Sequence, residues 1–109
     1  MPSPRTISAE ELRSLSKEIE DGDCVLLDVR ERHEFESSHI PLAVLVPLSQ
    51  IGEAAGGLDP RTKVVVYCRS GSRSRKAAEL LVSKGFQDVN VLEGGLKGWS
   101  AAGQPLGRE

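Results

Sequence analysis

Residues 64–74 constrain the fold more than any other stretch, because an apolar run, a cysteine, a basic loop and a helical pattern follow one another there. Residues 64–67 are three valines and a tyrosine, and Cys68 follows them directly. An apolar run of this kind predicts a buried strand, and the pattern from about Ser72 onward predicts a helix. Cys68 is therefore expected at the end of a strand, in a loop that leads into the N-terminus of a helix.

The loop after Cys68 favours a thiolate and suits a small anion. Its small residues let several backbone N–H groups point at one place, and the helix dipole adds partial positive charge there. Residues 67–78 contain no acidic side chain and four basic ones, Arg69, Arg73, Arg75 and Lys76. We therefore expect the pKa of Cys68 to lie below that of a free cysteine, as in a nucleophile. The predicted site is catalytic Cys68 with the loop residues Arg69, Ser70, Gly71, Ser72 and Arg73.

Cys24 provides an internal contrast to Cys68. It precedes the apolar residues 25–27, has Asp21 and Asp23 close by, and lacks a basic loop. A cysteine in such a setting is usually a small core residue, so Cys24 is interpreted as structural. Two cysteines of such different surroundings do not form a disulfide framework.

Length and charge limit the classes of function. Residues 1–109 are expected to form one domain, with a core over about residues 5–102 and a loose tail over 103–109. The net charge of −2 predicts no general affinity for nucleic acid or for membranes. The N-terminal residues include no apolar leader, and a reactive thiol needs reducing conditions, so a cytoplasmic monomer is expected.

The order of the patterns predicts an α/β protein. Continuous apolar runs, typical of strands buried on both faces, alternate with helical patterns, which favours a mostly parallel sheet. A capping box at Ser8 and Glu11 begins a predicted helix over residues 9–20. Sites in such sheets lie at the carboxyl ends of the strands. Three segments fall at such ends, and they contain Asp28, Cys68 and residues 93–95.

Several motifs together resemble the single-domain rhodanese-like sulfurtransferases. They appear in the order and at the spacing of that family, and they cover residues 26–31, 34–35, 39–41, 65–74 and 92–99. The resemblance implies a five-stranded, mostly parallel sheet with helices on both faces. It also implies that Cys68 carries sulfur as a persulfide. The family commonly has glycine where this chain has Ser38 and Leu42, so a changed local turn is expected there, remote from the cysteine loop.

The resemblance also implies roles outside the loop. It implies that Asp28 braces the cysteine loop or pairs with a nearby arginine, with Arg30 as a second supporting residue. Arg30 and Glu34 are interpreted as a structural ion pair. His33 and His39 have no metal-ligand companions in the sequence, so neither a metal nor a cofactor is expected.

The activity implied is transfer of sulfur from an anionic donor such as thiosulfate to a thiophilic acceptor, cyanide or a thiol. Three alternatives stay open. A protein-to-protein persulfide relay would use the same reactive centre. A non-catalytic binding module would typically lack the cysteine or the basic loop. A cysteine phosphatase would have five residues between cysteine and arginine, whereas four separate Cys68 from Arg73.

Overall fold

The structure, a computed structural model, describes residues 3–108, and it is an α/β fold. Five strands alternate with helices, as the apolar runs predicted. The strands are β1 (Arg5–Ile7), β2 (Cys24–Asp28), β3 (Val44–Leu45), β4 (Lys63–Tyr67) and β5 (Val89–Leu92). The helices are α1 (Ala9–Ser14), α2 (Ser16–Glu20), α3 (Arg32–Ser37), α4 (Ile51–Ala55), α5 (Ser72–Ser83) and α6 (Gly95–Ala101), with a 3₁₀ turn at Leu48–Gln50. No helix within residues 3–108 is long and apolar enough to cross a membrane.

All five strands are parallel, in the order β1-β5-β4-β2-β3. Strand β4, buried from Val64 to Tyr67, lies at the centre, and its register places Tyr67 beside Asp28 on β2. The N–H of Val29 then donates to the Tyr67 carbonyl, at 3.1 Å. The ends of β2 and β4 are thus held together at one edge of the sheet, where Cys68 begins its loop.

The residues of β4 alternate between two cores because successive side chains of a strand point to opposite faces. Val64, Val66 and Cys68 pack in one core with residues of α4 and α5. Val65 and Tyr67 pack in the other core with residues of α1 and α6. Helices therefore cover both faces of the sheet, as predicted. The alternation also decides that the Cys68 side chain lies on the α5 face.

The single helix predicted over residues 9–20 is wrong in extent, because the segment is two short helices that meet at Leu15. The capping box of Ser8 and Glu11 is present. Ser14 and Ser16, however, donate their hydroxyls to the Glu11 and Arg13 carbonyls, at 2.6 and 2.7 Å. Serine side chains that bond to backbone carbonyls in this way compete with the helical pattern and commonly bend helices.

The prediction of a loose tail is wrong for residues 104–107. The indole N–H of buried Trp99 donates to the Pro105 carbonyl at 2.7 Å, and the Gln104 N–H donates to the Trp99 carbonyl. Gly107 and His39 exchange two backbone hydrogen bonds, at 2.7 and 3.0 Å. A buried indole N–H needs an acceptor, and this requirement ties the tail to the body of the protein.

One backbone position departs from ordinary geometry in the turn before β3. Leu42 has a φ of 75°, in the left-handed region that glycine adopts without strain. Its side chain is 49% exposed. The chain thus keeps a conformation suited to glycine at a position occupied by leucine.

Candidate active site

The sulfur of Cys68 lies at the centre of its loop and receives a backbone hydrogen bond. The Gly71 N–H donates to Sγ at 3.0 Å, and the Ser74 Oγ lies 3.5 Å from Sγ. The Ser74 hydroxyl in turn donates to the Gly71 carbonyl at 3.0 Å. Cys68 is 1% exposed and Ser74 is fully buried. The loop therefore closes around the sulfur.

Gly71 is needed for the curvature of this loop. Its φ is 124°, and it is the residue immediately before α5. Its carbonyl accepts the Arg75 N–H at 3.0 Å, so the first turn of α5 begins at the loop. An L residue with a side chain rarely adopts this φ, which makes glycine the residue that permits both the N–H···Sγ bond and the start of the helix.

The surroundings of Cys68 favour its thiolate. Burial by itself raises the pKa of a thiol, but hydrogen bonding with the Ser74 side chain and hydrogen bonds from the amides of Ser74, Gly71 and Ser70 lower the pKa of Cys68 below its ordinary value. The direction agrees with the prediction. Of the predicted causes, the backbone N–H groups of the loop account for the lowering together with the Ser74 side chain, and the basic side chains are not among the causes.

The N-terminus of α6 is hydrogen-bonded to the backbone of the Cys68 loop. The Leu96 N–H donates to the Cys68 carbonyl at 2.8 Å, and the Lys97 N–H donates to the Arg69 carbonyl at 3.1 Å. Gly95 permits this approach, since a Cβ there would lie 2.6 Å from both of those carbonyl oxygens. The three segments predicted to converge at the carboxyl edge of the sheet are thus together.

Asp28 and Arg30 form a buried ion pair at the end of β2. The Asp28 carboxylate is fully buried and Arg30 is 4% exposed. Arg30 donates through Nε and Nη2 to the carboxylate at 2.7–3.2 Å, and Nη2 also donates to the Ser38 carbonyl at 2.7 Å. The Arg30 guanidinium lies 5.8 Å from the Tyr67 ring centroid. Asp28 does pair with an arginine, and the pair braces the end of β2 beside the loop.

The predicted ion pair of Arg30 with Glu34 is wrong. Glu34 instead accepts two hydrogen bonds from Arg73, at 2.7 and 3.0 Å, and joins α3 to the first turn of α5. The Glu34 carboxylate also accepts the Glu31 N–H at 3.0 Å. Hydrogen bonding to Arg73 lowers the pKa of Glu34 to about 2. Arg73 is thus held by a carboxylate, whereas Arg69 has no ion pair with the residues that the structure describes.

Two surface depressions flank the loop. Arg69 lines a cleft of about 850 Å³ between α3 and α6, which Arg30 and Glu34 also line. Ser70, Gly71 and Ser72 line a second depression of about 450 Å³ on the other side. Ser74, Glu34 and Lys97 were not predicted from the sequence as site residues. Ser74 could have been found from its position three residues after Gly71, in the first turn of the helix.

The sequence profile of the rhodanese-like domain family matches residues 11–102. The chain belongs to this family. The resemblance stated from the motifs is therefore confirmed.

Curated relatives of the rhodanese-like family support the same assignment. A putative sulfurtransferase, YtwF of Bacillus subtilis, is 39% identical over 93 residues, which are 84% of this chain and 89% of that protein. Thiosulfate sulfurtransferase GlpE of Coxiella burnetii is 34% identical over 83 residues, which are 76% of this chain and 78% of that protein. These relatives support sulfur transfer in general.

A solved structure shows the same rhodanese-like fold. The rhodanese-related protein from Thermoplasma volcanium superposes with a TM-score of 0.84 and is 31% identical. The superposition covers 96% of this chain and 99% of that one. The whole rhodanese-like sheet with its helices is therefore shared.

Proposed function

We propose that this rhodanese-like protein transfers a sulfane sulfur through a persulfide on Cys68. The observation that carries the proposal is the 3.0 Å hydrogen bond from the Gly71 N–H to the Cys68 Sγ, in a loop that lowers the pKa of this thiol. A thiolate is the nucleophilic form of cysteine, and the same amide can stabilise a persulfide anion. No general base is then required for the attack.

The first step loads the cysteine with sulfur. The Cys68 thiolate attacks the outer sulfur of thiosulfate, a new S–S bond forms, and the bond to the sulfonate sulfur breaks. Sulfite leaves with the electron pair of the broken bond, and Cys68 holds the persulfide anion. Because the donor is a dianion, the charge of Arg69 in the loop, which forms no ion pair within residues 3–108, favours the approach of the donor.

The second step unloads the cysteine. A nucleophilic acceptor, cyanide or a thiolate, attacks the outer sulfur of the persulfide, and the electron pair of the S–S bond returns to the Cys68 Sγ. The cysteine is again a thiolate, so the kinetics are ping-pong. A persulfide relay from another protein uses the same two steps with a protein donor, and a reducing cytoplasm would keep the thiol free in either case.

Phosphatase activity is disfavoured by the engagement of Arg73. Its guanidinium is committed to Glu34 by two hydrogen bonds, so its charge is already neutralised at the place where an oxyanion would need it. A Cys68-dependent turnover of a phosphate ester would overturn this argument.

Intact mass spectrometry after thiosulfate treatment tests the proposal. The wild-type chain should gain the mass of one sulfur atom, and cyanide should remove it with release of thiocyanate. Cys68→Ala should gain nothing. Cys24→Ala is the matched control and should gain sulfur as the wild type does.

The outcomes distinguish a wrong sulfur donor from a wrong mechanism. Absence of the gain in the wild type would reject thiosulfate as the donor, and loading from a cysteine desulfurase would then be measured. If neither donor loads Cys68, the protein does not carry sulfur there. A gain that persists in Cys68→Ala would reject Cys68 as the carrier.

A further inference from the structure

The peptide group that donates to the Cys68 sulfur lies between two anchored peptide groups. Its N–H is that of Gly71, 3.0 Å from Sγ. The following peptide is fixed through the Gly71 carbonyl, which accepts the Ser74 hydroxyl and the Arg75 N–H, each at 3.0 Å. The orientation of the donating N–H therefore also depends on what fixes the preceding peptide, Arg69–Ser70.

The first turn of α6 fixes that preceding peptide. The Lys97 N–H donates to the Arg69 carbonyl at 3.1 Å, and the Leu96 N–H donates to the Cys68 carbonyl at 2.8 Å. The N–H groups in the first turn of a helix have no acceptor within the helix, so these two are available to the loop. The anchor therefore costs α6 no internal hydrogen bond.

The direction of the Arg69 carbonyl decides where the Ser70 N–H points. The Arg69–Ser70 peptide is trans, and in a planar trans peptide the carbonyl and the N–H point in opposite directions. The carbonyl is directed at α6, so the N–H is directed toward the other face of the sheet, where Cys68 packs with α5. Burial raises the pKa of Cys68, and the Ser70 amide is among the groups whose hydrogen bonds lower it, which agrees with this direction.

The hydrogen bond from Lys97 also strengthens the Ser70 N–H as a donor. A carbonyl that accepts a hydrogen bond polarises its own peptide group, and hydrogen bonds in a chain reinforce one another. The Lys97 N–H, the Arg69–Ser70 peptide and the Cys68 sulfur form such a chain. Both the direction and the strength of the loop amides are thus linked to α6.

Gly95 allows α6 to reach the loop. Its φ is 59°, and a Cβ at this position would lie 2.6 Å from the carbonyl oxygens of both Cys68 and Arg69. Because Cβ atoms do not approach backbone oxygens so closely, any other residue would force α6 and the loop apart. The close contact between α6 and the loop therefore depends on this glycine.

We propose that Lys97 is a positioning residue for the sulfur carrier, and that its backbone N–H fixes the Arg69–Ser70 peptide so that the loop amides point at the Cys68 sulfur. The inference deepens the proposed function and rests on it for the purpose of the loop, which is to hold a sulfur anion. Lys97 acts through the Arg69 carbonyl, and its ammonium group is not required.

Removal of this single N–H tests the proposal. Replacement of Lys97 by its α-hydroxy acid changes the amide to an ester, which removes the N–H and keeps the side chain. The measured quantity is the rate at which iodoacetamide alkylates Cys68 as a function of pH, because this profile reports the pKa of the thiol without any sulfur donor. The profile should move to higher pH, and the rate below the pKa should fall about fivefold, as expected for the loss of one hydrogen bond.

The same ester replacement at Gly98 is the matched control. The Gly98 N–H donates to the Gly94 carbonyl at 2.9 Å, so its loss weakens the same helix without removing a bond to the loop. The alkylation profile of this ester should stay in place, as should that of Lys97→Gln, which keeps the N–H and removes the charge. A profile that stays in place in the Lys97 ester, or that moves equally in both esters, would overturn the proposal.

Gly95→Ala makes the same test by ordinary mutagenesis. The added methyl group should displace α6 from the loop, so the alkylation profile should again move to higher pH. Gly103→Ala is its control, because Gly103 has a φ of 77° just beyond the other end of α6, and a Cβ there would meet nothing within 4 Å. This control should lose stability through backbone strain and keep the wild-type profile. Equal profiles in the two variants would contradict the positioning role, and the Lys97 ester decides the question if Gly95→Ala does not fold.

The alkylation assay separates this inference from the proposed function. If thiosulfate leaves no persulfide on the wild type but the Lys97 ester moves the alkylation profile, the donor is wrong and the positioning role stands. If thiosulfate loads Cys68 but the ester leaves the profile in place, the proposed function stands and the positioning role is wrong.

Discussion

Cys24 and Cys68 are equally buried and chemically opposite. Each is 1% exposed. Burial raises the pKa of Cys24 to about 11, with little to oppose it. The same burial acts on Cys68, but hydrogen bonds from Ser74 and from the amides of the loop reverse the direction. Exposure therefore does not distinguish a reactive thiol from a structural one in this protein.

The difference lies in where the backbone N–H groups point. Cys24 is the first residue of β2, in a ladder of paired backbone groups with β4. Cys68 follows the end of β4, where the loop leaves the ladder and turns its amides inward. The N–H groups of a strand are hydrogen-bonded to the neighbouring strands, whereas a loop before a helix can direct several N–H groups at one atom.

The largest effect is expected from the glycine near each cysteine, Gly71 in the loop after Cys68 and Gly22 before Cys24. Gly71 has a φ of 124° and Gly22 a φ of 83°, and a Cβ at either would meet nothing within 4 Å. Gly71→Ala and Gly22→Ala should each cost about 1–2 kcal/mol of unfolding free energy through backbone strain. Gly71→Ala should also slow persulfide formation about a hundredfold, because the N–H···Sγ bond is displaced. Denaturant unfolding and single-turnover loading measure the two effects.

Gly22→Ala is the matched control, and it should load sulfur at the wild-type rate. Equal loading rates in the two variants would contradict the view that the loop conformation controls the reactivity of Cys68.

The stability of the protein at alkaline pH tests the contrast between the two cysteines through Cys24. The folded pKa of about 11 lies above the ordinary value of 9.0, so folding favours the neutral thiol. This contribution is fully present below pH 9 and is lost as the pH rises through about 11. The loss should reach up to about 2 kcal/mol of unfolding free energy. Cys24→Ala should unfold with a flatter pH dependence in this window, as measured by urea titration from pH 8 to 11.

The sheet could be predicted from sequence because a strand buried on both faces must be apolar along its length. Residues 24–27 and 64–67 satisfy this requirement, and both lie in strands. The Cys68 loop could also be predicted, since small residues and a helical pattern follow the cysteine. The break in the helix at Leu15 could not be predicted, because it depends on which carbonyl oxygens accept the hydrogen bonds of the Ser14 and Ser16 hydroxyls.

The partner of Arg73 could not be predicted either. Glu34 is 39 positions away, and only the packing of α3 against the start of α5 joins the two. Sequence proximity favoured Arg30 as the partner of Glu34. Asp28 instead occupies Arg30, because a buried carboxylate at a strand end needs a nearby cation.

Replacing Ser74 should slow persulfide formation less than replacing Gly71, because only the pKa of the Cys68 thiol changes. Ser74→Ala removes the hydroxyl that lowers the pKa of Cys68, so the pH–rate profile of persulfide formation should move to higher pH. The rate below the pKa should fall about tenfold for each unit of the shift. Ser83→Ala is the matched control, because Ser83 also donates to a carbonyl three residues earlier, Leu80, on the same helix. A pH–rate profile that stays in place in Ser74→Ala would contradict this role.

The smallest effect concerns the ion pair that joins the Cys68 loop to α3. The folded pKa of Glu34, about 2, lies below its ordinary 4.5, so the pair stabilises the fold above pH 5 and is lost as the pH falls toward 2. Both side chains are partly exposed, which limits the contribution to about 1 kcal/mol. Glu34→Gln should therefore lower the free energy of unfolding by about 1 kcal/mol at pH 7 and by little at pH 2.

Asp88→Asn is the matched control, because it removes a comparable carboxylate, held by Arg5, near Cys24. Both variants should be less stable at neutral pH in urea, but Glu34→Gln alone should lower the KM for thiosulfate, because it frees Arg73 beside the loop. Equal KM values in the two variants would show that the Glu34–Arg73 pair holds α3 in place without influencing the sulfur carrier.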